Sequence, residues 1–316
     1  MHGAIKNILF PTDFSPNADN ALNMAISVAI KHNADLHLLH VIIPQFISMI
    51  GEIPFGTAYE NYVDLEKINK HTIDNLANTI RKKNRIAVFS HTKIGSISET
   101  IEEMRHQQDI DLIIMGTHGN SPIKNLLIGS NTFKTIKTTS CPVLTIPSHF
   151  EATHFFNILF PVRNVEGIDE KYAITSSFIQ KNQTKIELLG VVDFYDFSTF
   201  EVVSKKVEAI LKELILKGIS SSCRTVFCSN IANFILEYAQ FNHADLIVIN
   251  ANIDGDWREL FGGTYTQKII NYAQHPVLYI NTTTIKTSQK KTESDSKSNI
   301  SSELILSPIS NIHHLN

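Results

Sequence analysis

Three of the 13 glycines in this 316-residue chain lie close together between two apolar runs. They are Gly116, Gly119 and Gly129, and the hydroxyl of Ser130 follows the last of them. The run "DLIIM" ends just before Gly116, so the glycines follow a predicted buried strand. A loop without side chains lets phosphate oxygens reach backbone N–H groups, and a helix start attracts anions. The spacing therefore indicates a phosphate site, and tight turns are the plainer alternative.

Two further side chains of this segment fit a bound phosphate. Ser130 could either cap the helix that it opens or donate a hydrogen bond to a phosphate oxygen. Lys124 lies in the stretch between the glycines and could bring a mobile positive charge over the ligand. Both expectations depend on the stretch folding back over the end of the strand.

Several other kinds of catalytic site are missing from the sequence. The chain has no G-x-x-x-x-G-K-[ST], no G-x-G-x-x-G after its first strand and no G-x-S-x-G, which argues against a P-loop NTPase, a Rossmann dehydrogenase and an α/β-hydrolase. Cys223 and Cys228 have no second ligand pair at zinc spacing, so we expect buried or half-buried thiols and no metal site. Glu102 and Glu103 are most simply part of a solvated helix face, and no residue is an obvious base for fast nucleotide hydrolysis.

The chain repeats its own pattern. "NILFP" occurs at its start and again in its second half, at Asn7 and Asn157. "DLIIM" is matched by "DLIVI", and "CPVLTIP" is matched by "HPVLYIN". The second unit is shorter in its middle, where we expect it to lack a counterpart of "IIPQFISMIGEIPFGTAYENY". The repeat predicts two domains, at residues 1–149 and 154–282.

Strand and helix patterns alternate through both units. In the first unit, for example, "NILF", "LHLLHV", "RIAVFS" and "LIIM" are predicted strands, and "DLEKINKHTIDNLANTIRKK" is a predicted helix. Ser15 is a candidate helix cap with Pro16 at the first helical position. Alternation of this kind predicts an α/β fold in which each unit is an open parallel sheet with helices on both faces. Residues 283–316, rich in Ser, Thr, Lys and Asn, are predicted to be a disordered tail.

The composition narrows the class of protein. With 43% hydrophobic residues and a net charge of -3, the chain resembles a globular protein without a nucleic-acid partner. No apolar run reaches about 18 residues, and the first residues do not form a signal peptide, so we expect no membrane span and a cytoplasmic protein. Three cysteines are too few for a disulfide framework and fit a reducing compartment.

The glycine segment resembles a known family. Gly116, Gly119, Gly129 and Ser130 fit the G-x2-G-x9-G-[S/T] motif of the universal stress proteins, and "NILFPTDFS" and "CPVLTIP" resemble their first and last strands. The resemblance extends over both units as a tandem pair. It implies five-stranded sheets of order 3-2-1-4-5 and binding of ATP, with Mg²⁺, at this edge. It also implies dimer-like packing of the two units through their last strands, within one chain, and leaves a homodimer open.

The family pattern assigns roles to particular residues. Besides the glycine-serine loop, Asp13 matches an acidic position beside the nucleoside, and Val41 matches the place where backbone groups meet adenine. Asp13 could instead serve only as a turn residue, and His118 is expected to be a neutral positioning group. The full set of expected nucleotide-binding residues is Pro11, Thr12, Asp13, Val41, Met115, Gly116, His118, Gly119, Gly129, Ser130 and Asn131.

The second unit departs from the pattern. Asn250, Ala251, Asn252 and Ile253 stand where the first unit has Gly116 to Gly119, although Gly263 and Thr264 keep the glycine-hydroxyl pair. Arg163 replaces Asp13, and the β-branched Ile253 would obstruct phosphate. Trp257, the only tryptophan, falls in the altered loop and could plug it or face a partner. We expect one working nucleotide site, in the first unit, and a structural second unit.

Three functions follow from these patterns. The favoured one is an ATP-binding regulatory or stress-protection protein whose nucleotide changes a surface that an unknown protein partner reads. The second is an ATPase or phosphate-transfer enzyme of low turnover that uses His118 or Ser130. The third is an interaction scaffold that does not depend on nucleotide. The intact motif in one unit, beside its loss in the other, argues against the scaffold.

Overall fold

The computed structural model describes residues 5–43, 55–117, 129–251 and 265–281, with residues 17 and 55–63 described by their backbone alone. The strands within these residues are β1 (Asn7–Pro11), β2 (Asp35–Ile42), β3 (Val88–Ile94), β4 (Leu112–Gly116), β5 (Val143–Ile146), β6 (Asn157–Val162), β7 (Lys185–Asp193), β8 (Ser220–Cys228), β9 (Leu246–Asn250) and β10 (Val277–Ile280). The helices are α1 (Asp19–His32), α2 (Phe55–Asn84), α3 (Ile97–Gln107), α4 (Ser130–Thr138), α5 (Ile168–Ser176), α6 (Phe200–Leu216), α7 (Ile231–Phe241) and α8 (Tyr265–Tyr272). No helix in the described ranges has the length and apolar character needed to cross a membrane.

The strands form one continuous sheet of order β3-β2-β1-β4-β5-β10-β9-β6-β7-β8. Neighbouring strands are parallel within each half, and each half has the order 3-2-1-4-5 that the family resemblance implied. The halves meet where β5 and β10 pair antiparallel, with Leu144 opposite Leu278. We call this pair of strands the seam. The predicted α/β fold is confirmed, and the expected packing through the last strands occurs within a single chain.

Helices cover both faces of the sheet and enclose one apolar layer on each. Side chains alternate along a strand, so Ile8 and Phe10 of β1 lie in one layer and Leu9 lies in the other. The first layer contains residues of α1, α2, α5 and α6, and the second contains residues of α3, α4, α7 and α8. Each layer contains residues from both halves, so the apolar core continues across the seam.

The repeated aspartates explain part of the repeated sequence. Asp111 lies just before β4, and its carboxylate accepts hydrogen bonds from the backbone N–H groups of Lys6 and Asn7 at 2.8 and 3.0 Å. Asp245 before β9 does the same for Phe156 and Asn157 at 2.7 and 2.9 Å. Each carboxylate therefore fixes the start of the first strand of its unit beside the fourth, which satisfies donors at the sheet edge.

The structure corrects several element boundaries. Helix α2 begins at Phe55, so part of the stretch assigned to a long loop is helical, and α2 has 30 residues against 17 in α6. Strand β3 begins at Val88 and continues to Ile94, later than "RIAVFS" suggested. The surplus length of the first unit lies between its second and third strands, as the sequence indicated. Propensity alone did not separate the end of α2 from the start of β3 because "IAV" suits a strand anywhere.

Two predictions about single side chains were wrong in part. Pro16 does open a helical turn, but it is a short 3-10 turn before α1, and the hydroxyl of Ser15 makes no capping bond. The Ser15 hydroxyl is instead buried without a hydrogen-bond partner in the described structure.

Cys223 is exposed rather than buried or half-buried, because β8 is the outermost strand of its half.

A histidine pair lies between β2 and β3. His37 is 4% exposed, its Nδ1 lies 3.1 Å from Nε2 of His91, and its ring stacks on Phe89. Burial, and next the charge of His91, lower the pKa of His37 to about 4, while Asp35 acts in the opposite direction. The folded protein therefore holds this ring in its neutral form.

The pH dependence of stability follows from that lowered pKa. A histidine whose pKa in the folded protein lies below its unfolded value of about 6.5 binds a proton more weakly in the folded state. It therefore costs no stability above pH ~6.5, and it destabilises the fold progressively as pH falls toward its folded pKa. Between pH ~6.5 and the folded pKa of His37, we expect the free energy of unfolding, measured by urea titration, to fall by up to about 3 kcal/mol. His37→Phe keeps an aromatic ring against Phe89 and should flatten this dependence. Equal pH slopes for the two proteins would contradict the assignment.

Candidate functional site

The expected site residues meet at one edge of the sheet. The carboxyl ends of β1, β2 and β4 lie side by side, because Pro11 pairs with Leu39 of β2 and Leu9 pairs with Ile113 of β4. Helix α4 also begins at this edge. The structure brings together here Pro11, Thr12, Asp13, Val41, Met115, Gly116, Gly129, Ser130 and Asn131. His118, Gly119 and Lys124 lie outside the described residues.

The two ends of the glycine segment are tied together. The N–H of Gly129 donates to the carbonyl of Thr117 at 2.7 Å. The buried hydroxyl of Thr132 donates to the carbonyl of Gly116 at 3.1 Å. The chain therefore leaves the end of β4 and returns to the same point to begin α4. The sequence pattern did not single out Thr132, whose signal is its place as the third polar residue in a row after Gly129, following Ser130 and Asn131.

The glycines at this edge are in conformations that any residue adopts. Gly116 is the last residue of strand β4. Gly129 occupies the N-cap position of α4 with φ -54° and ψ 141°. Neither needs the left-handed region that favours glycine, so turn geometry does not account for them. The other property that sets glycine apart is its lack of a side chain, which leaves the backbone open to close approach by another group.

The start of α4 offers polar groups to solvent. Ser130 and Asn131 are exposed at its first two positions. Because Gly129 is the cap, the alternative that Ser130 caps this helix is wrong. The first N–H groups of a helix have no partner within it and carry the positive end of its dipole. An anion at this point would meet amides, a hydroxyl and a side-chain amide together.

The loop after β1 is held in a strained shape. Phe14 has φ 59°, a left-handed conformation that is uncommon for a bulky residue and costs about 1–2 kcal/mol. The side chains of Thr12 and Asp13 stabilise it by accepting hydrogen bonds from the N–H groups of Phe14 and Ser15, each at 3.0 Å. Asp13 is thus a turn residue, which was the alternative to a contact with the nucleoside. Its side chain is also exposed at this edge of the sheet.

An aromatic pair that the sequence did not reveal supports this loop. The ring of His40 stacks on Phe14 with centroids 4.5 Å apart, and its Nδ1 lies 2.9 Å from the carbonyl oxygen of Thr12. His40 precedes Val41 in β2, so the pair joins the ends of β1 and β2. Backbone strain of this kind persists where surrounding contacts enforce it, and it concentrates at ligand sites.

Val41 and Met115 differ from the polar members of the set. Their side chains are 9% and 6% exposed and pack in the apolar layer with α3 and α4. A ligand at this edge would therefore meet their backbone rather than their side chains. That the backbone of Val41 meets a base stays a prediction.

The matching edge of the second half is built differently. Asn250, at the position of Gly116, donates through its amide to the carbonyls of Gly167 and Glu166 at 3.0 and 3.3 Å. Arg163, at the position of Asp13, places its guanidinium over the ring of Tyr265 at 4.3 Å. The side chain of Asn250 thus occupies a place where Gly116 of the first half has none. Asn252, Ile253, Trp257, Gly263 and Thr264 lie outside the described residues.

Comparisons with known proteins agree with this architecture. The model of the universal stress protein family matches residues 4–147. A universal stress protein of Methanocaldococcus jannaschii is 31% identical over 153 residues, which covers 45% of this chain and 94% of that relative. Universal stress protein A homolog 1 of Coxiella burnetii is 29% identical over 143 residues, covering 45% of this chain and 95% of the relative.

Two longer matches span both halves. A universal stress protein of Mycolicibacterium smegmatis is 22% identical over 295 residues, covering 86% of this chain and 96% of the relative. The crystal structure of a universal stress protein from Archaeoglobus fulgidus has a TM-score of 0.67 at 17% identity, covering 87% of this chain and 96% of that one, and shows the shared fold. The chain belongs to the universal stress protein family. It has the tandem form, in which two units of the family fold follow one another.

Proposed function

We propose that the first unit, residues 1–149, binds ATP with Mg²⁺ at the edge formed by β1, β2, β4 and α4. The observation that carries this proposal is the bare backbone at Gly116 and Gly129, which turn geometry does not require. Backbone that is open for no local reason, next to the amides of a helix start, fits the oxygens of a phosphate chain. The second unit, residues 154–282, has no nucleotide site in this proposal. Residues 283–316, the predicted disordered tail, lie outside the described residues.

Each part of the nucleotide has a place at this edge. The phosphates lie against Gly116, Gly129 and the start of α4, where Ser130 and Asn131 supply side-chain donors. Pro11 and Thr12 flank the nucleoside, Asp13 accepts from its hydroxyl groups, and the backbone of Val41 and Met115 faces the adenine side. We assign His118 and Gly119 to the phosphate loop on the family motif alone. Mg²⁺ enters with the phosphates, whose charge it neutralises.

The proposed role is regulation or stress protection in the cytoplasm. ATP joins the ends of three strands and one helix, so the bound form of the first unit is more stable than the free form. A protein partner that distinguishes the two forms would read the nucleotide state, because only differential binding shifts an equilibrium. Slow ATP hydrolysis or phosphate transfer through His118 or Ser130 is the competing function.

Asp13→Asn tests the nucleoside contact without breaking the loop. The asparagine oxygen can still accept from the N–H of Ser15, whereas its NH₂ replaces an acceptor with a donor. We expect ATP binding to weaken by about tenfold in calorimetry, because a hydrogen bond to a charged group is lost. Arg163→Asn places an asparagine at the matching position of the second unit and should leave ATP binding unchanged.

A turnover assay separates the two functions. ADP release by the wild-type protein should not exceed that of Gly119→Val, a variant expected to lose the phosphate loop. Wild-type turnover that this substitution abolishes would favour the enzyme.

Unchanged ATP affinity in Asp13→Asn, measured by calorimetry, would show that Asp13 is not part of the nucleotide site.

A further inference from the structure

A small cavity lies at the carboxyl edge of the second unit, between the ends of β6 and β9. Its volume is about 90 Å³, and its lining includes Pro161, Arg163, Lys171, Asn250 and Thr266. A buried water needs roughly 10–15 Å³ of such space, so the cavity can hold a group of several heavy atoms. It is well below the roughly 300–1,000 Å³ of sites that enclose a drug-sized ligand.

Lys171 is the unusual member of this lining. It lies on α5 and is 1% exposed, although lysine is almost never fully buried without a partner. Its Nζ donates to the carbonyl oxygen of Pro161 at 2.5 Å and lies 4.3 Å from the centre of the Phe160 ring. The first unit has alanine at the matching position, Ala21, which the sequence periodicity treats as an ordinary core position.

Arg163 brings a permanent positive charge to the same cavity. Its guanidinium is held over the ring of Tyr265, which fixes a planar fork that suits oxyanions. Among the residues that the structure describes, neither Arg163 nor Lys171 forms an ion pair. No carboxylate is among the described residues of the lining. A protonated Lys171 beside the half-buried Arg163 is costly unless an anion compensates the two charges.

We propose that this cavity binds a small oxyanion, a phosphate or sulfate group, between Lys171 and Arg163 of the second unit. Thr266 also lines the cavity. The second unit would then have kept a ligand site at the family's usual edge while exchanging a nucleotide for a single anionic group. This goes beyond a purely structural second unit, and it holds whether or not the first unit binds ATP.

Binding should be linked to proton uptake. Burial, and next the charge of Arg163, lower the pKa of Lys171 well below its ordinary value. Burial also raises the pKa of Tyr265, another described residue of the lining, so that ring remains neutral. An anion beside Lys171 favours its ammonium form. The protein should therefore take up a proton as the anion binds, and the affinity should fall as pH rises.

Calorimetry with sodium sulfate on the full chain tests the proposal. Sulfate keeps its charge across the neutral range, so any proton taken up belongs to the protein. At constant ionic strength, kept with chloride, we expect one sulfate per chain with a dissociation constant below about 10 mM. Titrations in two buffers of different ionisation enthalpy should show net proton uptake.

Three variants identify the site. Lys171→Met keeps the aliphatic stem, and we expect it to weaken sulfate binding by at least about tenfold and to remove the proton uptake. Arg163→Gln should also weaken binding by about tenfold. Lys205→Met removes an exposed cation of α6 and should change neither quantity. Sulfate binding that survives both cavity variants, or proton uptake that persists in Lys171→Met, would place the anion elsewhere and overturn the proposal.

The chain's own carboxylates are the alternative occupant. Asp254 and Asp256 follow β9 in the sequence, outside the described residues. If the wild-type protein does not bind sulfate but Asp254→Asn/Asp256→Asn does, the cavity is compensated internally and the proposal of an external oxyanion fails. If neither protein binds sulfate, it also fails. Unchanged sulfate binding in the double variant supports the proposal.

Discussion

Gly129→Val should abolish the binding of ATP by the first unit while leaving its fold intact. The φ and ψ angles of Gly129, -54° and 141°, are open to valine, and its N–H can still donate to Thr117. The new side chain would stand at the start of α4, where the phosphates are proposed to lie. We expect affinity for Mg-ATP to fall by at least about a hundredfold, or about 2.8 kcal/mol, in isothermal titration calorimetry.

The control is the matching glycine of the second unit. Gly263→Val should bind ATP like the wild-type protein, because we place no nucleotide in that unit. Thermal unfolding gives an independent readout, since a ligand at ~100 times its dissociation constant stabilises the fold by roughly 2.7 kcal/mol. That stabilisation should vanish in Gly129→Val and persist in Gly263→Val. ATP binding by Gly129→Val at wild-type affinity would contradict the proposed phosphate position.

Tyr279→Ala should destabilise the whole chain. Tyr279 is 2% exposed in β10, pairs with Val143 across the seam, and its hydroxyl lies beside the side chain of Thr145. Truncating a buried aromatic side chain to alanine leaves a cavity and typically costs about 3–5 kcal/mol. We expect a loss of that size in the free energy of unfolding, measured by urea titration with circular dichroism.

A milder variant separates packing from hydrogen bonding. Tyr279→Phe keeps the ring and removes the hydroxyl, so it should cost about 1–2 kcal/mol. Because both apolar layers cross the seam, each variant should unfold in one transition rather than two. A Tyr279→Ala loss below about 1 kcal/mol, or separate transitions for the two halves, would show that the seam contributes little to stability.

The repeats made the fold predictable from the sequence. Two copies of one strand-helix pattern predicted a parallel sheet in each half, and the family resemblance supplied the strand order. The repeated aspartates at Asp111 and Asp245 proved to hold equivalent strands together. Periodicity located the elements because each strand or helix must bury one side. It did not fix the beginnings of α2 and β3, where local preference is ambiguous and contacts with the rest of the fold decide.

The candidate site was only partly visible in the sequence. The spacing of the glycines identified the edge of the sheet where the backbone is exposed, because a glycine is recognised from the sequence without knowledge of its contacts. The strained φ of Phe14, its stacking on His40 and the bond from Thr132 depend on contacts between separate segments, which no local pattern encodes. The burial of Lys171 was hidden for the same reason, because a lysine on a helix ordinarily faces solvent.

One measurement tests the nucleotide site most directly, namely the stoichiometry of Mg-ATP binding to the full chain. In isothermal titration calorimetry, the proposal predicts one ATP per chain, accompanied by stabilisation against heat. Two ATP molecules per chain would show that the second unit also binds nucleotide despite Asn250 and Arg163. No heat and no stabilisation at about 1 mM ATP would contradict the nucleotide site altogether and leave the scaffold function.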